Sequence, residues 1–382
     1  MILYFILLII IIICVFKLYI KVKYPFWSRQ PVFHYHDIHY WLFPPGIIQS
    51  NFKINKYYDT NIEFIKYTDM NDKKKALMCS LIRGSYSPNR EERYNPSNKS
   101  ILNCYEGHNN ETYISLNYNI TADNIKKLIG TMSCIPYDFN IFGRELLIYY
   151  VDFLCLHKKY RQQGLAPKII YSHIVNFTNK HPGFYYIFKR EGVLSSYVPL
   201  TVYNTYLYDT KHWVKNACFY DKKYNIIDIG SSDISILNDV FVMMINDNIF
   251  DCVYKPNINN LKILVKDHNL YIYVLMLNKT PLACYVYKNN YTTYDGETSI
   301  TLLSSYSNTS DEIFVMGYLN TLDILNESVS FRYMLIENIS HNYIILDNIM
   351  ARYTYKYKCD TGYYFYNFAV RPFYSTKVFC IT

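Results

Sequence analysis

Leu146–Ile170 reads LLIYYVDFLCLHKKYRQQGLAPKII. It begins as an apolar, aromatic run with the pattern of a buried strand, crosses a basic turn, and continues with apolar residues at helical spacing. Over Leu165–Asn179, the residues Ile169, Ile170, His173, Ile174 and Phe177 fall on one helical face. A strand that hands over to a helix through a glycine-bearing turn lets consecutive backbone N–H groups converge. With Pro167 tolerated in the first turn, the positive helix end completes a cradle suited to a pyrophosphate. Gln162, Gln163, Gly164, Leu165, Ala166 and Pro167 would form that cradle, and Lys158, Lys159 and Arg161 would add counter-charge.

Outward from this stretch, further strand-like runs recur at Lys127–Ile135, Gly183–Phe188, Tyr271–Leu277, Pro281–Tyr287 and Tyr363–Phe368, with weaker helical patterns at Asp233–Ile245 and Glu312–Leu325. Mixed strands and helices predict α/β or α+β layers, and the second half repeats the vocabulary of the first. The 382 residues exceed one domain of about 100 to 200 residues, so two are expected. With 51% apolar and only 18% charged residues, the chain lacks the signature of disorder. Its richness in Tyr, Ile, Asn and Lys is what an AT-rich coding sequence forces, so tyrosine content alone says little about function. The net charge of +8 suits an anionic partner. The basic residues are scattered, however, and no nucleic-acid fingerprint is present. Ten cysteines without a C-x-x-C pair fit buried thiols in a reducing compartment, and the scattered N-x-S/T triplets follow from the abundance of Asn.

Residues 1–21 are predicted to form a transmembrane anchor. Met1–Phe16 is almost wholly apolar, and through Ile20 the run reaches the roughly 20 residues of a spanning helix. Lys17, Lys21 and Lys23 lie on its carboxyl side, which places the body of the protein in the cytosol. A secretory signal would need a positive start and a small-residue cleavage site, and neither is there.

Arg161-Gln-Gln-Gly164-Leu-Ala166 fits the R/Q-x-x-G-x-G/A pattern of the GNAT acyltransferases, and Asp152-Phe-Leu-Cys-Leu-His-Lys158 resembles the N-F-L-C-x-H-K signature of the glycylpeptide N-tetradecanoyltransferase (N-myristoyltransferase) family. Other landmarks follow in that family's order. Tyr24-Pro-Phe26-Trp27-Ser-Arg-Gln30-Pro31-Val32 resembles Y-x-F-W-x-x-Q-P-V. Lys127-Leu-Ile-Gly130 with Cys134-Ile-Pro136 resembles K-L-V-G and A-I-P, and Gly192-Val-Leu through Thr201 resembles G-V-V-L…T. Tyr363-Tyr-Phe-Tyr-Asn-Phe368 resembles Y-Y-L-Y-N-W, and Lys377-Val378 with its apolar tail resembles the family's carboxyl end. The resemblance covers residues 24 to 382. It implies two tandem GNAT-like domains related by a pseudo-twofold axis, an acyl-CoA-binding one at 22–203 and a peptide-binding one at 204–382.

The resemblance also implies chemistry: the amino-terminal glycine of a cytosolic protein attacks the thioester of myristoyl-CoA directly, with no acyl-enzyme and no metal. A base and oxyanion donors are then needed. The family's pattern carries the donors to the backbone amides of Phe153 and Leu154, and the base to the terminal carboxylate, here that of Thr382, whose basicity burial would raise. Tyr24, Phe26 and Trp27 match residues closing over the CoA and acyl chain. Tyr86, Asp152, Thr201, Asp360 and Gly362 match positions that contact the peptide. The sequence departs from the family at several of these. Asp152 replaces an asparagine, putting a negative charge beside the incoming ammonium. The acidic loop after Tyr86 is diluted by Pro88, Asn89 and Arg90. The K-F-G-x-G-D-G signature survives only as Lys356-Tyr-Lys-Cys-Asp360-Thr-Gly362. Two other readings fit the same residues: a GNAT acyltransferase with another chain or acceptor, and an inactive module that binds acyl-CoA or peptide. A monomer is expected. His34-x-His36-x-x-His39 has no common zinc spacing, and Cys155 with His157 offers a nucleophile that direct transfer does not need.

Overall fold

Lys126–Ile141 and Arg144–Leu156 pair as a long antiparallel hairpin. Phe142 and Gly143 close it with φ of 50° and 73°, the two left-handed residues a tight hairpin turn requires. The structure is a computed structural model that describes residues 2–43, 45–87, 92–120, 125–213, 223–230 and 232–382, without the side chains of residues 2, 3 and 6. Pro88, Asn89 and Arg90 of the diluted acidic loop lie outside the described residues.

In chain order the first half holds α1 (Ile2–Lys23), α2 (Ile38–Leu42), β1 (Gly46–Ile47), β2 (Ile62–Lys66), α3 (Asp72–Ser85), β3 (Arg93–Tyr94), α4 (Asn98–Leu102), β4 (Tyr113–Ile120), β5 (Lys126–Ile141), β6 (Arg144–Leu156), α5 (Leu165–Lys180), β7 (Tyr186–Glu191) and β8 (Thr201–Asp209). The second half holds β9 (Tyr224–Asp228), α6 (Ser235–Asn246), β10 (Cys252–Pro256), α7 (Ile258–Lys266), β11 (Leu270–Leu277), β12 (Thr280–Tyr294), β13 (Glu297–Ser307), α8 (Asp311–Ser328), β14 (Tyr333–Glu337), α9 (Asn342–Met350), β15 (Tyr357–Tyr366), β16 (Phe368–Ala369) and β17 (Val378–Cys380).

One sheet crosses the molecule in the order β17-β10-β5-β6-β7-β15-β8-β14-β13-β12-β11-β9. The same unit occurs twice in it: a long antiparallel hairpin, a helix, and a strand parallel to the hairpin's second arm. In the first half these are β5, β6, α5 and β7. In the second they are β12, β13, α8 and β14. The parallel contact of β6 with β7 spans only Tyr149↔Tyr186 and Tyr150↔Ile187, after which the two strands diverge and leave a cleft. The halves are joined through one continuous sheet, with β15 inserted between β7 and β8. The expected division at 203/204 therefore falls inside β8, because Thr201–Asp209 is a single strand.

Helix α5 lies close against β5 because of one glycine. A Cβ on Gly130 would sit 2.6 Å from Ile169 Cδ1 and 2.8 Å from Leu156 Cδ2, so a larger residue there would have to displace the ends of both side chains. The tyrosines have a structural use. The largest fully buried side chains are all Tyr, Tyr113, Tyr186, Tyr285 and Tyr363 among them, and each supplies a large apolar area to the core.

The expected anchor is helical, but its boundary at residue 21 falls inside α1. Tyr4, Phe5, Leu18 and Val22 are all more than half exposed, and Ile20 alone among the described side chains of α1 is buried. Among the described residues no helix is long and apolar enough to cross a membrane.

Candidate active site

Where β6 leaves β7 it also slips against β5. Thr131 faces Cys155 and Ser133 faces Asp152, so Phe153 and Leu154 together stand opposite Met132. This is a bulge that takes two residues out of the ladder. Phe153 adopts φ of 48°, a left-handed conformation that costs a bulky residue of order 1 kcal/mol or more. Ser133 Oγ pins the bulge by donating to Asp152 O at 2.9 Å. The backbone amides of Phe153 and Leu154 are thus turned away from ordinary pairing. The Phe153 N–H donates to Asp152 Oδ1 at 2.7 Å.

Two cavities meet at the bulge. One, of about 460 Å³, runs between the diverging strands and is walled by Trp27, Met132, Ile170, Ile174, Phe188 and Tyr366. The other, of about 310 Å³, opens toward the second half past Tyr94, Thr205, Asn260, Asn289 and Thr301. Tyr86, Asp152, Phe153, Lys189, Glu191, Lys288 and Thr382 line both. Beyond the shared residues, the first wall is mainly apolar and aromatic, whereas the second mixes apolar side chains with Asn, Thr and Ser, so the charged junction sits between two differently lined chambers.

Thr382 reaches the junction because β17 runs parallel to β10, pairing Val378 to Cys380 with Cys252 to Tyr254, and Ile381 N donates to Tyr254 O at 3.0 Å. Thr382 is 9% exposed. Lys288 Nζ donates to its main-chain O at 2.9 Å, and its Oγ1 shares a 2.8 Å hydrogen bond with Tyr363 Oη. Beside it, Lys189 bridges Glu337 at 2.7 Å and Glu191 at 2.9 Å, and Tyr203 Oη donates to Glu337 Oε2. Burial alone would lower the Lys189 pKa, but these carboxylates outweigh it and hold it well above its ordinary value. Lys189 in turn holds Glu191 below the usual carboxylate range. Burial pushes Asp152 up, opposed by Lys288, the Phe153 N–H and Lys189.

The remaining predicted residues divide. Tyr86 lies at the junction, its ring 5.6 Å from that of Phe153, and Leu154 is 39% exposed into the apolar chamber. Trp27 stacks on Phe188 at 5.9 Å. Phe26 is buried against Tyr171 and Val175 and supports Trp27 edge-on at 5.0 Å. Tyr24 follows the end of α1, its N donating to Ile20 O at 2.8 Å, and lines neither cavity.

In the turn, Gln162 and Gly164 take left-handed φ of 62° and 73°, and α5 starts with no side-chain cap. The first-turn amides of Leu165 and Ala166 are left for an anion, Pro167 having none. Lys158, Lys159, Gln162 and Gln163 are exposed. Arg161 differs from the expectation of a counter-charge: its guanidinium donates to Leu156 O at 3.2 Å and to Ser85 O, tying the turn to the end of α3.

Three peptide positions are not brought to the site. Thr201 is fully buried opposite Tyr363, Asp360 is exposed with its O accepting from Gly192 N, and Gly362 packs on Tyr364. Thr205, two strand repeats beyond Thr201 on the same face, lines the second cavity instead. Lys189, Glu191, Lys288 and Glu337 escaped the sequence reading, because no local motif marks four residues contributed by three separate strands. Cys155 is a buried thiol, pushed up to about 11 by burial, and its Sγ donates to Leu81 O. His157 instead accepts from Lys159 N at 3.3 Å, so the two form no nucleophilic pair. His34 and His36 stack at 5.2 Å, and among the described residues no group of three metal-ligating side chains is gathered.

Residues 51–198 match the family model described as Myristoyl-CoA:protein N-myristoyltransferase, N-terminal domain. A glycylpeptide N-tetradecanoyltransferase of Kluyveromyces lactis is 26% identical over 170 residues, which are 42% of this chain and 36% of that protein. One from Danio rerio is 27% identical over 165 residues, 39% of this chain and 31% of the relative. The match thus spans about a third of the length of these curated relatives. The fold reaches further. A solved Saccharomyces cerevisiae N-myristoyltransferase with bound myristoyl-CoA superposes with a TM-score of 0.69 at 12% identity, covering 92% of this chain and 94% of that one.

Proposed function

We propose that this chain, whose residues 51–198 match the model of the myristoyl-CoA:protein N-myristoyltransferase N-terminal domain, transfers a myristoyl group from myristoyl-CoA to the amino-terminal glycine of a protein. The observation that carries the reading is the junction itself. A bulge with two main-chain donors, a main-chain carboxyl and a carboxylate side chain all border the opening between the two chambers.

In this reading the acyl chain lies in the chamber walled by Trp27, Ile170, Ile174 and Phe188, and the CoA phosphates take the turn at Gln162–Ala166 with Lys158 and Lys159. The glycine peptide enters through the second chamber, past Tyr94, Thr205 and Asn289. The Thr382 carboxyl takes a proton from the glycine ammonium, the freed amine attacks the thioester carbonyl, and as the C–S bond breaks a second proton passes from the nitrogen to the leaving thiolate, releasing CoA as its thiol. The amides of Phe153 and Leu154 stabilise the oxyanion that forms between these steps. Lys288 orients the carboxyl by donating to its main-chain oxygen.

The test is incubation of the full chain with radiolabelled myristoyl-CoA and a glycine-initiated peptide, with the N-acetylated peptide as control. Label is expected in the first peptide alone. Acyl-CoA binding without transfer to either would overturn the reading.

The exposed apolar side chains of α1, followed by Lys21 and Lys23, support membrane attachment of the same molecule, with the catalytic part on the cytosolic face. The chain is expected to float with vesicles of phosphatidylcholine and phosphatidylserine, and a version lacking residues 1–21 to stay behind. Equal behaviour of the two versions would contradict this.

A further inference from the structure

Resting on the acyl-transfer reading, we infer that Asp152 guards the thioester against water by occupying one of the two oxyanion donors until an ammonium arrives. A neutral asparagine, which the family pattern places here, presents only a weak amide acceptor to the next N–H. In this chain the acceptor is a carboxylate, and the Phe153 N–H already donates to it at 2.7 Å. Charge-assisted contacts of this kind are about twice as strong as neutral ones. The donor is captured in the conformation that the positive φ of Phe153 imposes, so the strain that turns the amide out of the ladder also delivers it to Asp152.

Asp152 borders both chambers, and therefore stands where the peptide's ammonium must pass to reach the thioester. An entering ammonium offers the carboxylate a full positive charge in place of an amide dipole. The carboxylate turns to it, and the Phe153 N–H becomes available to the carbonyl oxygen. Water carries no such charge. When water reaches the same thioester, the donor stays masked and the tetrahedral intermediate has only the Leu154 amide. The reaction being suppressed is hydrolysis: the water oxygen bonds to the carbonyl carbon, the C–S bond breaks, and the proton lost by water passes through the Thr382 carboxyl to the leaving thiolate. Asp152 is then a determinant of specificity for an amine over water as acceptor.

The experiment measures free CoA thiol released from myristoyl-CoA by the full chain without peptide, beside transfer to a glycine peptide. Asp152→Ala removes the acceptor and is expected to raise hydrolysis on the order of tenfold while raising the peptide KM by a similar factor. Asp152→Asn keeps a weaker acceptor, so its hydrolysis should fall between the wild type and Asp152→Ala. Acyl-CoA affinity and melting temperature are followed in each variant, and Asp152→Ser serves if Asp152→Ala melts early. Hydrolysis no faster than wild type in folded, acyl-CoA-binding Asp152→Ala or Asp152→Ser would overturn the inference. Absence of transfer by the wild type would instead count against the acyl-transfer reading, and the hydrolysis comparison would still decide whether Asp152 masks the donor.

Discussion

Appending one alanine after Thr382 is expected to lower acyl transfer by about 10²- to 10⁴-fold, the range a positioned general base contributes, and to leave acyl-CoA affinity almost unchanged. The expectation follows from how firmly this residue is placed. Strand β17 locks the three residues before Ile381 beside β10, Ile381 donates to Tyr254 O, and Lys288 and Tyr363 grip the Thr382 main-chain oxygen and hydroxyl. An added residue converts the carboxyl into an amide, which accepts no proton at neutral pH, and pushes the new terminus into the junction of the two chambers. The acyl chamber is walled mostly from other elements, so binding of acyl-CoA reports separately on folding. Undiminished turnover in the extended chain would rule out the main-chain carboxyl as base. Parallel loss of binding and turnover would point to a structural fault.

Lys189→Met carries the largest expected effect on stability, a loss of about 3 to 5 kcal/mol by urea unfolding. Glu337 has a side chain only 2% exposed, and Lys189 one only 17% exposed, so removing the ammonium leaves a carboxylate inside the protein with Tyr203 as its remaining side-chain partner. The double substitution Lys189→Met/Glu337→Gln removes both charges and should regain part of the loss, since a matched neutral pair avoids the uncompensated charge. The pH dependence has a definite sign. A lysine whose folded pKa is raised contributes stability that is complete below its unfolded pKa of 10.5 and is lost only as pH rises through the folded value. The wild type should therefore show no loss from this group between pH 6 and 9. Glu191, depressed by Lys189, works in the opposite direction, with its contribution falling away as the solution is acidified below about its ordinary 4.5. A single variant as stable as the wild type would show that Glu337 finds another cation or takes up a proton at no cost.

The parts of the molecule legible in the sequence are those where function needs a local arrangement. The strand, basic turn and helix of Leu146–Ile170 are contiguous, and their periodicities change at the points where the structure changes. Gly130 was legible only as a motif letter, and its reason, the close approach of Ile169 to β5, needs the packed helix. The bulge at Phe153 was invisible, because register slips leave no signature in the slipped strand itself. The ion cluster was invisible for a different reason. Lys189 lies 148 residues from Glu337 and meets it across β15 and β8, which stand between β7 and β14, a juxtaposition set by strand order and not by any local pattern. Thr201 was assigned by its spacing from Gly192, yet the cavity lies further along β8, at Thr205. Arg161 carries a charge that the motif directs outward, but two main-chain carbonyls within reach hold it in the turn.

The most direct test of direct transfer at the bulge is a single-turnover rapid-quench measurement with the full chain in excess over radiolabelled myristoyl-CoA and a glycine-initiated peptide. The account predicts that label passes from thioester to peptide amide with none bound covalently to the protein at any time. Transient label on the protein, at Cys155 or elsewhere, would contradict it.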